Sequence, residues 1–195
     1  MMNDIFSEQQ SIKIAVIDTE TNWYNRVMSV GAVVADGETF HVMDSRYYIL
    51  SPEYEFGGMF SYALPLKNNN QARICSREEA VEELIAFLKQ YNIKAVFAYN
   101  ALFDFSHLPE LSKGFVWYDI MKTAAYKQFN YKITDDMDCC KTGRLKRNYG
   151  VQAILRLMTD NDFYFETHNA LYDAVDELKI MKLLGLPVSV YKAIN

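Results

Sequence analysis

The chain has 195 residues, half of them apolar and 23% charged, which is typical of one ordinary globular domain. Its net charge of −5 argues against a protein that coats duplex phosphates, and no apolar run approaches the roughly 18 residues that a membrane helix needs. The three cysteines form no disulfide or zinc pattern and the N-terminus lacks a signal-peptide pattern, so we expect a cytoplasmic protein.

The most informative stretch is the apolar run 12–17, which is followed by Asp18 and Glu20. Its β-branched residues predict a buried strand, and side chains two apart on a strand share a face. The two acids would therefore project together and repel each other, by roughly 4 kcal/mol at ~4 Å in a surface-like dielectric. We expect a cation between them, although this pattern alone also fits a solvated strand end or turn.

Residues 25–50 predict two further strands joined by the turn Asp36-Gly37, which makes a three-stranded antiparallel meander. The next stretch, 51–74, is predicted to form loops. It contains two prolines, a Gly-Gly pair and the Asn68-Asn69-Asn70 run.

The second half of the chain predicts helices that alternate with strands. Residues 76–79 form a capping box. The helix that follows is predicted to end near Tyr91 and to bury Val81, Leu84, Ile85 and Leu88. The remaining elements are strands at 94–99 and 115–118 and helices at 120–129, 151–158 and 169–184. We therefore expect an α/β fold with a five-stranded mixed sheet, three antiparallel strands followed by two parallel ones, flanked by helices.

A second group of polar residues, Asn100 to Asp104, follows the fourth predicted strand, at the sheet edge where α/β proteins bind ligands. If a helix begins at Asn100 or Ala101, Asp104 lies in its first turn and faces the strand ends. The alternative is an acid that only favours the positive end of a helix, worth about 0.3–1 kcal/mol.

A third group lies at the start of the last predicted helix. His168 directly precedes this helix, and Asp173 falls beside its apolar stripe. The stripe is predicted to consist of Leu171, Val175, Leu178, Met181 and Leu184. Asp176 and Glu177 are predicted to lie on the solvated face.

The segment 122–147 concentrates positive charge, with seven basic residues against three acids. The basic residues are Lys122, Lys127, Lys132, Lys141, Arg144, Lys146 and Arg147, and the acids are Asp135, Asp136 and Asp138. A solvated surface and an edge that tracks phosphates are both open interpretations.

The order and spacing of the three polar groups resemble the three motifs of the DEDDh, or DnaQ-like, 3′–5′ exonucleases. The matching residues are Asp18 and Glu20, Asn100-x3-Asp104, and His168-x-Ala170-x2-Asp173. The resemblance runs from about residue 12 to residue 184, and 29–33 in the second strand also looks like that family. It implies a ribonuclease H-like fold, formed as a single exonuclease domain over 1–195 with its core at about 11–186. It also implies release of nucleoside 5′-monophosphates from single-stranded or frayed 3′ ends of DNA or RNA.

The resemblance further implies a site for two Mg²⁺ or Mn²⁺ ions. Asp18 would bridge both ions, Glu20 and Asp173 would complete the first, and Asp104 would hold the second. Carboxylates are the hard oxygen ligands that these ions prefer. His168 would be the general base, since an unperturbed pKa of about 6.5 lets it accept a proton near neutral pH. The predicted substrate-binding residues are Thr19, Thr21, Trp23, Asn100 and Phe103.

Two features depart from the family pattern and leave the substrate preference open. Thr21 is followed by Asn22-Trp23-Tyr24 where the family commonly has Thr-Gly, and 51–75 lacks a His-Gly-Ile-Thr-like segment. Trp23 or Tyr24 would either stack on a base, a contact worth about 1–3 kcal/mol, or pack within the protein.

A second functional hypothesis is a non-catalytic nucleic-acid-binding or polymerase-accessory module on the same fold. The intact acids and His168 count against it, because a binding module has no need for converging carboxylates. The resemblance leaves open a DNA polymerase as partner and a homodimer, and we expect no membrane partner.

Overall fold

A mixed sheet forms the centre of the computed structural model, which describes residues 12–65 and 72–195. The predicted start of the core at residue 11 and the Asn68–Asn70 loop lie outside these residues. The strands are β1 Lys13–Thr21, β2 Val27–Asp36, β3 Val42–Leu50, β4 Ala72–Cys75, β5 Ala95–Ala98, β6 Val116–Asp119 and β7 Lys192–Ala193. Their order across the sheet is β4-β3-β2-β1-β5-β6-β7. The antiparallel meander β1–β3 and the parallel pairing of β5 with β1 and of β6 with β5 are confirmed.

The prediction of five strands is wrong, because the described part of the chain contributes seven. Strand β4 extends the sheet parallel to β3, in a stretch predicted to form loops. Its central residues Arg73 and Ile74 are exposed, so it carries no apolar run that would reveal an edge strand. Strand β7 has only two residues and pairs antiparallel with β6. The packed structure therefore continues beyond the predicted core boundary at residue 186.

Five α-helices of the described residues flank the sheet: α1 Arg77–Gln90, α2 Leu102–His107, α3 Met121–Ala124, α4 Val151–Thr159 and α5 Ala170–Leu184. The capping box of α1 is present, with Ser76 Oγ accepting from the Glu79 amide and Glu79 accepting from the Ser76 amide. The buried face of α1 consists of Ala80, Leu84, Phe87 and Leu88. The predicted members Val81 and Ile85 lie at its border and are only partly buried. None of the helices in the described ranges combines the length and apolar character needed to cross a bilayer.

Helix α3 is much shorter than the predicted helix 120–129. The carbonyl groups that would continue it accept other hydrogen bonds: Asn130 Nδ2 donates to Ala124 O at 2.7 Å, and the Leu145 amide donates to Ala125 O at 2.9 Å. The apolar pattern did not reveal these hydrogen bonds. The thiols of Cys75, Cys139 and Cys140 are free.

The two faces of β1 pack against different helices. Ile14 and Val16 belong to the core that includes α4 and α5, whereas Ala15 and Ile17 belong to the core that includes α1. Because side chains alternate along a strand, this pattern directs the later acids of β1 toward α5. Thr19 is thereby directed toward the opposite face.

Candidate metal centre

Asp18 and Glu20 lie within β1, which extends to Thr21, rather than after its end. Asp18 pairs with Gly31 of β2, and Glu20 pairs with Ser29. The Oδ2 atom of Asp18 is buried and has no hydrogen-bond partner among the described residues. A buried carboxylate oxygen without a partner is costly, so this atom marks a position where a cation would be stabilised.

Gly31 allows helix α5 to reach the acids of β1. A Cβ atom at Gly31 would lie 2.2 Å from the backbone C and O atoms of Ala170 and 2.3 Å from the amide nitrogen of Leu171. Only a residue without a side chain permits this contact between backbones. Since Gly31 is the partner of Asp18 in the sheet, the first turn of α5 lies next to Asp18.

Asn169 fixes the start of α5. Its side-chain oxygen accepts from the amides of Leu171 and Tyr172, which is the N-cap arrangement. Its Nδ2 atom donates to Ala63 O at 2.7 Å and to the hydroxyl of Tyr47 at 3.0 Å. This single side chain therefore joins the helix, the sheet and the loop after β3. Sequence reasoning assigned Asn169 no such role, although its position at a helix boundary was a signal.

The cap holds His168 and Asp173 over the end of β1. His168 has a left-handed backbone, with φ of 54°, and Asp173 lies in the first turn of α5. The potential ligand atoms of Glu20, His168 and Asp173 all lie within 4.8 Å of one another. Two of the three predicted polar groups therefore meet in one small volume.

Asp104 is a further candidate metal ligand, which helix α2 supplies from the other side of the sheet edge. Helix α2 begins at Leu102, after Asn100 in a left-handed conformation, so Asp104 lies in the first turn as predicted. Its carboxylate is 2% exposed, and its Oδ1 atom accepts a hydrogen bond of 2.7 Å from the Thr19 hydroxyl. Thr19 thus uses its side chain to orient Asp104.

Burial and mutual repulsion raise the pKa of these carboxyl groups. Burial raises the pKa of Glu20 and of Asp173 to about 8, and repulsion from neighbouring carboxylates adds to both shifts. Burial raises the pKa of Asp104 to about 7, while the Thr19 hydrogen bond acts in the opposite direction. The pKa of Asp18 is also raised well above its ordinary value, by burial first and then by repulsion from Asp104.

Glu177 is a further buried carboxylate at this site, and its prediction as a solvated residue is wrong. It is 2% exposed and accepts a hydrogen bond of 3.0 Å from the Tyr99 amide, at the end of β5. Repulsion from Glu177 contributes to the raised pKa of Asp18. Conversely, Val175, predicted to belong to the apolar stripe, is 38% exposed. The other four predicted members of the stripe are buried, and the inner face is wider than predicted because it also carries the acids Asp173 and Glu177.

The donor set fits divalent metal ions. It combines four carboxylates from three separate elements, an unpartnered buried oxygen on Asp18, and raised pKa values that a nearby cation would lower. Oxygen-rich sites of this kind suit Mg²⁺ or Mn²⁺. The residues that would hold the ions are Asp18, Glu20, Asp104 and Asp173.

The predicted substrate-binding residues are neighbours of these acids along the chain. Trp23 is 65% exposed and Phe103 is 39% exposed, so both rings are open to solvent. Each ring lies within a few residues, in the sequence, of a candidate metal ligand. Asn100 is exposed, and Thr21 ends β1 after an irregularity in the pairing with β2. The Tyr24 ring packs edge-on against Phe56, with centroids 5.7 Å apart. Both side chains nevertheless remain largely exposed, Trp23 at 65% and Tyr24 at 70%.

No protein-family model and no curated protein matches the sequence. Similarity is found with solved structures instead. The nuclease domain of 3′hExo, a DEDDh family member bound to rAMP, has a TM-score of 0.63 at 14% identity, over 96% of this chain and 98% of that chain. A second similar structure, of 3′-end specific recognition of a histone mRNA stem-loop by a 3′-exonuclease, has a TM-score of 0.61 at 16% identity. The alignment covers 88% of this chain and 80% of that chain.

Escherichia coli Exonuclease I in complex with a dA16 oligonucleotide has a TM-score of 0.58 at 14% identity. The alignment covers 92% of this chain but only 42% of that enzyme. At these identities the similarity establishes the architecture. The chain has the fold of the DEDDh-type 3′–5′ exonucleases.

Proposed function

We propose that this protein is a metal-dependent 3′–5′ exonuclease that releases nucleoside 5′-monophosphates from single-stranded or frayed ends of DNA or RNA. The observation that carries the proposal is the cluster of Glu20, His168 and Asp173, whose ligand atoms lie within 4.8 Å of one another. Burial raises the pKa of Asp18, which also lies close enough to Asp104, Asp173 and Glu20 for their charges to raise its pKa further. The fold supports it, because the similar structures are nucleases. The three free thiols support a reducing compartment, and we propose the cytoplasm. Dimerisation and a polymerase partner are not part of the proposal.

The metal ions would supply the charge that activates water on one side of the phosphorus and stabilises the leaving oxygen on the other. The chain itself supplies the ligands and the base. His168 accepts a proton from the attacking water as its oxygen bonds to phosphorus. The bond from phosphorus to the 3′ oxygen of the preceding nucleotide breaks, and that oxygen takes up a proton from solvent. Burial lowers the pKa of His168, which keeps the imidazole neutral and able to accept.

Preference for unpaired ends is supported by two exposed aromatic rings that are close to the acids in the sequence. Trp23 and Phe103 present exposed rings on which bases can stack, a contact worth about 1–3 kcal/mol per base. Bases offer their faces to such rings only when they are unpaired. The net charge of −5 also disfavours a grip on a long duplex backbone.

The proposal is tested with single-stranded DNA and RNA oligonucleotides that carry a 5′ label, incubated with Mg²⁺ or Mn²⁺. We expect a ladder of shortened labelled products that EDTA abolishes. His168→Ala should lower turnover by about 10² to 10⁴ while the metal-induced rise in melting temperature is retained. His41→Ala, at an exposed histidine between β2 and β3, is the matched control and should behave as wild type.

Three outcomes would contradict parts of this proposal. Immediate release of the labelled nucleotide would reverse the polarity. A shifted but intact oligonucleotide would favour the binding or polymerase-accessory module. Equal turnover of His168→Ala and wild type would remove His168 from the mechanism.

A further inference from the structure

The ring of Phe60 stacks directly on the imidazole of His168. The ring centroids are 3.7 Å apart and the planes are inclined by only 14°. Phe60 belongs to the loop 51–65, which follows β3. The sequence pattern predicted only that this stretch forms loops. The stack therefore joins a residue without any expected role to the candidate general base.

The loop 51–65 is anchored on both sides of Phe60. Before it, Gly57 O accepts from the Trp23 amide at 3.0 Å. After it, Ala63 O accepts from Asn169 Nδ2 at 2.7 Å. These bonds tie the loop to the segment after β1 and to the residue next to His168. Phe60 is thus held by the same elements that carry the acids.

His168 depends on this contact because its own segment leaves the imidazole unsupported. The residue lies outside α5 with a φ of 54°, and within 12–65 and 72–195 no hydrogen bond holds its ring nitrogens. Stacking of aromatic rings fixes the plane of a ring without occupying its nitrogens. A base must keep one nitrogen free while its direction is fixed.

We propose that Phe60 is a positioning residue that holds the His168 imidazole in the orientation in which it accepts a proton. This inference rests on the proposed exonuclease function. Its consequence is a specific kinetic defect: loss of the Phe60 ring lowers kcat, because the base is displaced, and leaves KM near the wild-type value. A displacement of about 1 Å can cost about 10²-fold in rate.

The test compares Phe60→Leu, which removes the ring, with Phe60→Tyr, which keeps it. Phe163→Leu is the matched control, because it makes the same change at a ring that is 87% exposed and has no contact with His168. The readout that is independent of activity is the NMR shift of the His168 ring protons in metal-free protein, assigned by their absence in His168→Ala. A ring stacked at 3.7 Å shifts these protons upfield.

We expect the upfield shift and kcat to be lost together in Phe60→Leu, with kcat down by about 10²-fold, and both to be retained in Phe60→Tyr and Phe163→Leu. Thermal melts establish that each variant is folded. A wild-type kcat in Phe60→Leu overturns the inference, as does an unchanged imidazole shift. A wild-type protein without nuclease activity overturns the exonuclease proposal instead. The NMR comparison still shows whether the Phe60 ring stacks on His168.

Discussion

The end of β1 and the segment 122–147 both concentrate charge of one sign, and they handle it in opposite ways. In the segment, five of the seven basic residues have an acidic partner; for example, Lys127 lies 3.3 Å from Asp135, and Lys146 lies 2.7 Å from Asp138. At the end of β1 the carboxylates face one another, and Asp18 Oδ2 has no partner within the described residues. The first arrangement is largely balanced within the protein, whereas the second needs a cation from outside.

This contrast explains why a count of charges along the sequence is a poor guide to function. The basic segment was the larger concentration of charge, but its salt bridges are exposed and contribute little free energy. The acids are fewer and buried, and burial makes an unbalanced charge expensive. Unbalanced buried charge, rather than the amount of charge, identifies the candidate site.

The sharpest test of the contrast is to neutralise one acid in each region. Asp18→Asn should lower exonuclease turnover by about 10³-fold or more, because metal-assisted charge stabilisation is worth several kcal/mol. It should also weaken the rise in melting temperature that Mg²⁺ or Mn²⁺ produces. Asp135→Asn, at a side chain that is 97% exposed, is the control and should change neither quantity. Equal metal responses of wild type and Asp18→Asn would remove Asp18 from the metal site.

The second prediction concerns the packing that brings the acids together. Gly31→Ala places a Cβ atom 2.2 Å from the backbone of Ala170, so the first turn of α5 must move away from β2. Overpacking of this kind costs about 1–3 kcal/mol in the free energy of unfolding, measured by urea denaturation. Gly114→Ala is the control, since nothing lies within 4 Å of the added atom. If both variants were equally stable, the close contact at Gly31 would not position α5.

The strands and helices that carry the acids were largely predictable from the sequence, because the sequence patterns that indicate them are local. The acids of β1, Asp104 in a first helical turn and Asp173 beside His168 each occupy a recognisable position relative to a strand or helix end. The antiparallel meander followed from an Asp-Gly turn between apolar runs.

The remaining features depend on contacts between distant parts of the chain. Glu177 is an acidic helix residue of the kind that usually faces solvent, and only its hydrogen bond to the Tyr99 amide explains why it is buried. Phe60 lies in a loop without periodicity, and its role appears only when His168 is stacked on it. Strand β4 lacks an apolar run, so its pairing with β3 is a tertiary fact.

The third prediction uses pH to separate the two regions. Burial raises the pKa of Glu20 and Asp173 to about 8 and that of Asp104 to about 7, against about 4 in an unfolded chain. The folded state therefore binds more protons than the unfolded state between about pH 4 and pH 8. The free energy of unfolding of metal-free protein should fall as the pH rises through this window.

Metal ions bind the deprotonated carboxylates, so their stabilising effect should grow over the same window. Melting curves in EDTA and in Mg²⁺ at about pH 5 and about pH 8 measure both trends. Asp18→Asn should flatten them, whereas Asp135→Asn should not. A melting temperature in EDTA that stays constant or rises toward pH 8 would contradict the raised pKa values.

The smallest effect is expected in the basic segment, and it decides between the two interpretations of that segment. Because Lys127 and Lys146 already have acidic partners, their joint replacement by alanine should change the free energy of unfolding by less than about 1 kcal/mol. The dependence of KM on salt should also be unchanged. If the segment tracks phosphates instead, each lost contact should reduce the slope of log affinity against log salt by about 0.7 for a single strand. A slope reduced by that amount would make the basic segment part of the substrate-binding surface. The basic segment and the end of β1 would then be two halves of one surface, one binding phosphates and the other binding metal ions.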